Sequence, residues 1–233
     1  MNINKPLFFA FILLSTSLVG FGQSANSQVS SSKTSEVAVA SGSKRSKIAS
    51  REIKRGWKNF QANGMEIQLP SYYEGGNTKN NPQDVIQEIE KAGMPSGSLT
   101  NDNIKDYELF AVNLEEARKG NIDFAGVIKQ KLPASGTTQL IVDGFAKGIS
   151  QNTPNTITEK KVIYLDNYEA GKVVYKDIDP QTNKVKNTVV SYLFEKNQTL
   201  WVVLYATSSE SQLQKKLAIF KESANTFRIN AKS

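Results

Sequence analysis

The stretch that decides the fold is Trp201-Val202-Val203-Leu204-Tyr205, the most apolar run of the second half of the chain. Its β-branched and aromatic residues favour a strand, and an unbroken apolar run of this length fits a strand that is buried on both faces. The pattern extends from Thr199 to Thr207. We therefore predict that this strand lies at the centre of a sheet.

Further strands are predicted on both sides of it along the chain. Met65, Ile67 and Leu69 alternate with polar residues, which is the period of a half-buried strand, and Pro70 ends it. The glycine-rich stretch 71–76 is predicted to be a loop. Comparable strand patterns occupy 107–114, 122–132, 156–165, 172–178 and 188–195.

Three helices are predicted between these strands. Asn81 followed by Pro82 is typical of a helix start, and Gly93 marks its end. A second helix covers Leu140–Ile149, and a third begins at Ser209 with Gln212 completing a capping box. Short turns between strands imply antiparallel pairing, so the sequence predicts one α+β domain with its helices packed on the sheet.

The N-terminal region is predicted to be an export signal. Lys5 precedes an apolar run from Leu7 to Phe21, and small residues follow it, which is the pattern of a cleaved secretory signal. The alternative is that this segment is retained as an anchor. We divide the chain into a signal peptide (1–25), a disordered, Ser-rich basic linker (26–55) and a folded domain (56–233), and we expect it to act outside the cytoplasm.

The composition removes most catalytic chemistry. The chain contains 0 His and 0 Cys, so no Ser–His–Asp triad, thiol nucleophile or typical zinc site can be built. Asp177 and Asp179 resemble part of a calcium loop, but Gly and Glu are missing where an EF-hand needs them. The sequence therefore predicts a protein that is not an enzyme, with no catalytic residue, no metal site and no cofactor.

The basic charge lies outside the predicted domain. Residues 1–55 carry +6 of the net +7, so the domain itself is nearly neutral and nucleic acid is not an expected partner. The cluster Lys44, Arg45 and Lys47 is instead a candidate contact with an anionic membrane surface. Tyr72 and Tyr73 are candidate anchors for a partner protein, with at least one ring expected to be exposed.

Taken together, these residues resemble the PsbP-like superfamily, which includes Mog1 and DcrB-type proteins. The resemblance covers roughly residues 57–230 and rests on Trp57, Phe60, Gly64, Ile67, Pro70, Tyr72, Tyr73, Val127-Ile128, Leu140–Ile149, Lys172–Tyr175, Trp201–Tyr205, Ser223 and Phe227. It implies an α/β/α sandwich with a central antiparallel sheet flanked by helices. It also implies a non-catalytic role beside a membrane in the periplasm or thylakoid lumen, at photosystem II in photosynthetic members.

The predicted function is therefore binding or assembly at a membrane protein complex or an anionic membrane surface. Two alternatives stay open. One is a carrier of a small apolar ligand, which requires a pocket of roughly 300 Å³ or more between sheet and helices. The other is an exported hydrolase that uses carboxylates or a bound divalent ion, which requires two carboxylates converging in a cleft.

Overall fold

The computed structural model describes residues 52–152, 155–166, 168–179 and 181–230. The predicted signal peptide, nearly all of the predicted linker, and Lys44, Arg45 and Lys47 lie outside the described residues. Within the described part of the chain, no helix is both long enough and apolar enough to cross a bilayer.

The described residues form ten strands, five α-helices and one 3₁₀ turn. The strands are β1 (Trp57–Ala62), β2 (Met65–Pro70), β3 (Tyr73–Asn77), β4 (Leu109–Asn113), β5 (Asp123–Lys131), β6 (Thr156–Leu165), β7 (Tyr168–Ile178), β8 (Val185–Lys196), β9 (Thr199–Thr207) and β10 (Arg228–Ile229). The helices are α1 (Pro82–Lys91), α2 (Asn101–Ile104), α3 (Leu114–Ala117), α4 (Thr138–Asn152) and α5 (Leu213–Thr226), and the 3₁₀ turn is Glu210–Gln212.

Seven of the strands form one antiparallel sheet in the order β3-β4-β5-β9-β8-β7-β6. The strand that contains Trp201 is the fourth of the seven, so its predicted central position is confirmed. A second, three-stranded antiparallel sheet has the order β1-β2-β10. The predicted α+β architecture is confirmed.

The large sheet has an apolar core on each face, because side chains alternate along a strand. On β9, Leu200, Val202 and Leu204 join the core beneath α1 to α4. Trp201 and Tyr205 belong to the opposite core, which is covered by the small sheet and α5. The molecule is thus a three-layer sandwich.

Helix α4 lies close against the sheet at a glycine. A Cβ atom added to Gly171 on β7 would lie 2.4 Å from Cγ2 of the buried Val142 on α4. The absence of a side chain at this position therefore allows the helix to approach the strand. Helix α4 includes the whole of the second predicted helix, Leu140–Ile149, so that prediction is confirmed.

Two local predictions were wrong. Residues 73–77, inside and just beyond the predicted loop, form the edge strand β3 because they pair with the whole of β4. Ser209 makes no side-chain capping bond, and the chain forms the 3₁₀ turn before α5 begins at Leu213. The first helix begins as predicted, since the side chain of Asn81 accepts a hydrogen bond from the Gln83 N–H.

Candidate functional site

A pocket of about 370 Å³ lies at one end of the large sheet. It lies between the segment after α1, the segment that contains and follows α3, and strands β4 and β5. Its walls consist of Met94, Pro95, Ser98, Leu99, Phe110, Val112, Ala117, Arg118, Gly120, Asn121, Ile122, Asp123 and Phe124. Most of these side chains are apolar.

Two aromatic rings on the sheet form part of the pocket wall. Phe110 on β4 and Phe124 on β5 are buried, and their ring centroids lie 5.3 Å apart. Tyr107 meets Phe110 edge-on at 5.3 Å. Buried rings in contact have little freedom to move, so this wall is largely preformed, as is usual for small-molecule sites.

Asn113 positions the wall that α3 provides. Its Oδ1 accepts hydrogen bonds from the N–H groups of Glu115 at 3.0 Å and Glu116 at 3.3 Å, which caps the helix. Its Nδ2 donates to Asp123 Oδ2 at 3.0 Å. One buried amide therefore connects the start of α3 to the start of β5.

Arg118 closes the other side of the pocket. Its Nη2 donates to the carbonyl oxygen of Ala92, just after α1, at 2.8 Å. Gly93 follows with a φ of +112°, a backbone conformation that glycine adopts readily and that ends helices. The guanidinium therefore joins the end of α1 to the end of α3.

A buried polar cluster lies next to the pocket and shares Asp123 with it. The Asp123 side chain is fully buried and accepts a hydrogen bond from the Tyr73 hydroxyl at 2.5 Å. It also forms an ion pair with Lys216 on α5, which is 5% exposed. With the bond from Asn113, the carboxylate of Asp123 therefore has three donors, namely Tyr73, Lys216 and Asn113.

The electrostatics of this cluster follow from its burial. Burial raises the pKa of Asp123 above its ordinary value, although the hydrogen bonds from Lys216 and Tyr73 offset part of this effect. The pKa of Tyr73 is raised well above 10 by burial and by the Asp123 carboxylate. The cluster holds the two sandwich layers together at this end, since Lys216 comes from α5 and Asp123 from the large sheet.

Glu116 has compensating partners of its own. Burial alone would raise the pKa of this carboxyl, but hydrogen bonds from Asn121 at 2.8 Å and Lys119 at 3.0 Å bring it below its ordinary value. Asn121 also lines the pocket. Glu116 thus fixes the loop that follows α3.

The two predicted tyrosine anchors are placed differently. Tyr73 is 1% exposed and its hydroxyl is bound to Asp123, so its prediction as a surface anchor was wrong. Tyr72 is partly buried, with its ring 5.4 Å from that of Tyr73, and its partner role stays a prediction. Burial, followed by the charges of Asp123, Glu115 and Glu116, raises the pKa of Tyr72 to about 12.

The calcium-like stretch forms a turn. Asp179 Oδ1 accepts hydrogen bonds from the N–H groups of Gln181 at 2.8 Å and Thr182 at 3.2 Å, and Oδ2 lies 3.3 Å from Lys186 Nζ. Among the described residues, no three acidic side chains come together in a way that could hold a metal ion.

The sequence interpretation did not single out any pocket residue other than those on predicted strands. Arg118 carried no recognisable motif, and the pocket combines three segments whose contact depends on the tertiary fold. Lys216 was likewise missed, because it lies 93 positions from Asp123.

No protein-family model matches the chain, and no curated protein sequence does either. Several solved structures are similar. The solution structure of the cyanobacterial PsbP protein CyanoP from Synechocystis sp. PCC 6803 has a TM-score of 0.48 at 13% identity, covering 75% of this chain and 92% of that one. LpqN of Mycobacterium tuberculosis, described as involved in cell envelope biogenesis, has a TM-score of 0.45 at 13% identity, covering 71% and 83%.

A third similar structure is PA94 of Pseudomonas aeruginosa, a protein of unknown function, with a TM-score of 0.38 at 10% identity over 45% of this chain and 70% of that one. A PsbP protein is thus among the structures found to be similar. At these identities the likeness concerns the fold and says nothing of what this chain binds.

Proposed function

We propose that this chain is a non-catalytic binding protein that acts outside the cytoplasm, and that the pocket between α1, α3 and the large sheet receives a small apolar ligand. The observation that carries the proposal is the pocket itself. Its volume of about 370 Å³ falls in the range of small-molecule sites, roughly 300–1,000 Å³. A solid core at this place would have removed the carrier function that the sequence left open.

The chemistry of the surrounding residues supports binding rather than catalysis. Asp123 is fully buried and saturated by Lys216, Tyr73 and Asn113. Glu116 is 4% exposed and is engaged by Lys119 and Asn121. A general acid or base must reach the substrate with its own proton site, and these carboxylates are already committed to structural partners.

The proposal is tested with N-phenyl-1-naphthylamine, a neutral apolar fluorophore that brightens in apolar sites. The purified protein should bind it, and Ala117→Phe should abolish binding because the new ring occupies the pocket. Ala218→Phe is the matched control, since Ala218 is exposed on α5. Met94→Trp also narrows the pocket, from the segment after α1, and is the second pocket variant in case Ala117→Phe does not fold. If the dye fluorescence with both pocket variants equals that with the unmodified protein, the proposal is contradicted.

A second candidate function is assembly at a membrane protein complex, with photosystem II as one instance. Tyr72 favours it, because its ring is partly exposed and its carbonyl accepts a hydrogen bond from the Leu114 N–H at the start of α3, beside the pocket. The protein should retain a partner from detergent-solubilised membranes, and Tyr72→Ala should lose it. Tyr164→Ala is the control, because Tyr164 is 78% exposed on the edge strand β6. Equal retention by both variants would remove Tyr72 from the interface.

Export and membrane attraction are separate parts of the proposal. N-terminal sequencing of the protein from a fractionated cell should find a chain that lacks residues 1–25 outside the cytoplasm. Lys44, Arg45 and Lys47 should increase co-sedimentation with anionic vesicles at low salt, by roughly 1 kcal/mol for each cation near the surface. A chain that starts at Gly56 is the comparison, and equal sedimentation would remove the electrostatic contact.

A further inference from the structure

We infer that the ligand of the pocket is an amphipathic organic acid, whose apolar body occupies the pocket and whose carboxylate binds the guanidinium of Arg118. This inference rests on the proposed function, since it specifies the chemistry of the ligand in the same pocket. It goes beyond that proposal by naming the polar end of the ligand and the residue that recognises it.

The first argument is the position of the guanidinium. Arg118 directly follows α3 as its C-cap residue, it is one of the residues that line the pocket, and it is exposed. A Cβ atom built on Gly93 would lie 3.0 Å from Nη2 and 3.2 Å from Nε of Arg118. The guanidinium is therefore laid against the backbone of Gly93, and the bond from Nη2 to the Ala92 carbonyl fixes it there.

The second argument is that most of the donor capacity of this group remains for a ligand. A guanidinium carries five N–H donors in a planar fork, and the Ala92 carbonyl uses one of its nitrogens. Because the fork is already oriented, less side-chain entropy is lost when it binds a carboxylate than with a mobile lysine.

The third argument is the balance of charge around the pocket. Within the described ranges, no carboxylate lies within ion-pair distance of Arg118, whereas Glu116 pairs with Lys119 and Asp123 pairs with Lys216. Glu90 on α1 also has a partner, since its Oε1 accepts a hydrogen bond from the Gly97 N–H at 2.7 Å. The positive charge of Arg118 is thus not neutralised by an ion pair within the described residues and is available to an anionic ligand at this rim.

The shape of the site gives the chemistry of the ligand. Phe110, Phe124 and Leu99 are buried and offer only apolar contact. The fork of Arg118 matches a carboxylate in a two-bond geometry. An aliphatic or aromatic monocarboxylate satisfies both parts, whereas a neutral apolar molecule leaves the guanidinium without an anionic partner.

The test compares three ligands with alkyl chains of equal length, namely decanoate, 1-decanol and decylamine. Each is titrated into the full-length protein at neutral pH, and the binding affinities are compared. Decanoate should bind about tenfold or more tightly than decanol, as expected for hydrogen bonds to a charged group. Arg118→Gln should remove this difference, so that decanoate and decanol bind the variant with equal affinity. Arg118→Lys should retain part of it. Lys221→Gln, on the exposed face of α5, is the control for the lost charge and should behave as the unmodified protein does.

The outcomes separate the two proposals. If none of the three ligands binds, the pocket function itself fails. If decanol binds as tightly as decanoate, or decylamine binds most tightly, the pocket function stands and the role of Arg118 is overturned. Should Arg118→Gln not fold, the NMR signal of the Arg118 Nε–H in the unmodified protein decides. It should shift on adding decanoate but not decanol, and equal shifts would overturn the inference.

Discussion

Replacing Lys216 with Met should destabilise the fold strongly, because it leaves a buried carboxylate without its cation. Asp123 is fully buried, and Lys216 comes from a different layer of the sandwich. Removing one partner of a buried ion pair costs about 3–5 kcal/mol. Typical domains have only about 5–15 kcal/mol of stability, so the variant should remain folded with a much reduced margin.

The assay is urea denaturation at pH 7, followed by tryptophan fluorescence, to which the buried Trp201 and the partly buried Trp57 contribute. With a slope of roughly 2 kcal/mol per molar urea, the loss corresponds to a midpoint lower by about 1.5–2.5 M. The double variant Asp123→Asn with Lys216→Met should recover part of the loss, because it removes the unpaired charge. If the free energy of unfolding of the Lys216→Met variant lies within about 1 kcal/mol of that of the unmodified protein, this reasoning is refuted.

The loss should also shrink in acid. Removing Lys216 removes an influence that lowers the pKa of Asp123, so burial raises that pKa further in the variant. A group with a raised pKa in the folded state favours folding at low pH, and this contribution is lost as pH rises through the folded value. The stability of the variant should therefore approach that of the unmodified protein as the pH falls towards 3.8, the ordinary pKa of an Asp side chain. A difference that does not depend on pH would contradict this assignment.

Two further predictions concern the sheet. Gly171→Ala should lower stability by about 1–3 kcal/mol in urea denaturation, because its Cβ would lie 2.4 Å from Val142, and Val142→Ala should relieve part of that loss. Gly76→Ala is the control, since the nearest atom to its Cβ is 3.9 Å away. In hydrogen exchange, the amides of β9 should be among the slowest of the sheet and those of the edge strand β6 among the faster ones, and the opposite order would contradict the topology.

The central part of the fold could be predicted because its signals are local. Strands β6 and β9 have the predicted bounds, since β-branched and aromatic residues between turn residues specify a strand without reference to the rest of the chain. The central position of β9 followed from its apolar character on both faces.

The edge strand β3 could not be predicted in the same way. Its sequence contains Gly75 and Gly76, and glycine in the interior of a strand weakens that strand. The structure requires glycine at position 75 but not at position 76, because a Cβ on Gly75 would lie 2.1 Å from the Phe110 carbonyl oxygen of the paired strand. A residue that indicates a loop locally is thus needed for close backbone approach in the sheet.

The candidate site was the least accessible part of the sequence. Asp123 lies within the predicted strand 122–132, and no local pattern marks it as a buried charge, because Tyr73 and Lys216 come beside it only in the tertiary fold. The same contact allows Tyr73 to be buried, since a buried hydroxyl needs a hydrogen-bond partner and Asp123 provides one. Arg118 gained its significance only from the approach of the segment after α1.

The most direct test of the central claim, that the pocket is a ligand site, is a crystal structure of the purified protein grown with decanoate. The expected result is an aliphatic chain between Phe110, Leu99 and Ala117, with its carboxylate within hydrogen-bond distance of Arg118. A pocket filled only by solvent at saturating decanoate and also at saturating 1-decanol, in a protein of otherwise identical fold, would contradict the claim.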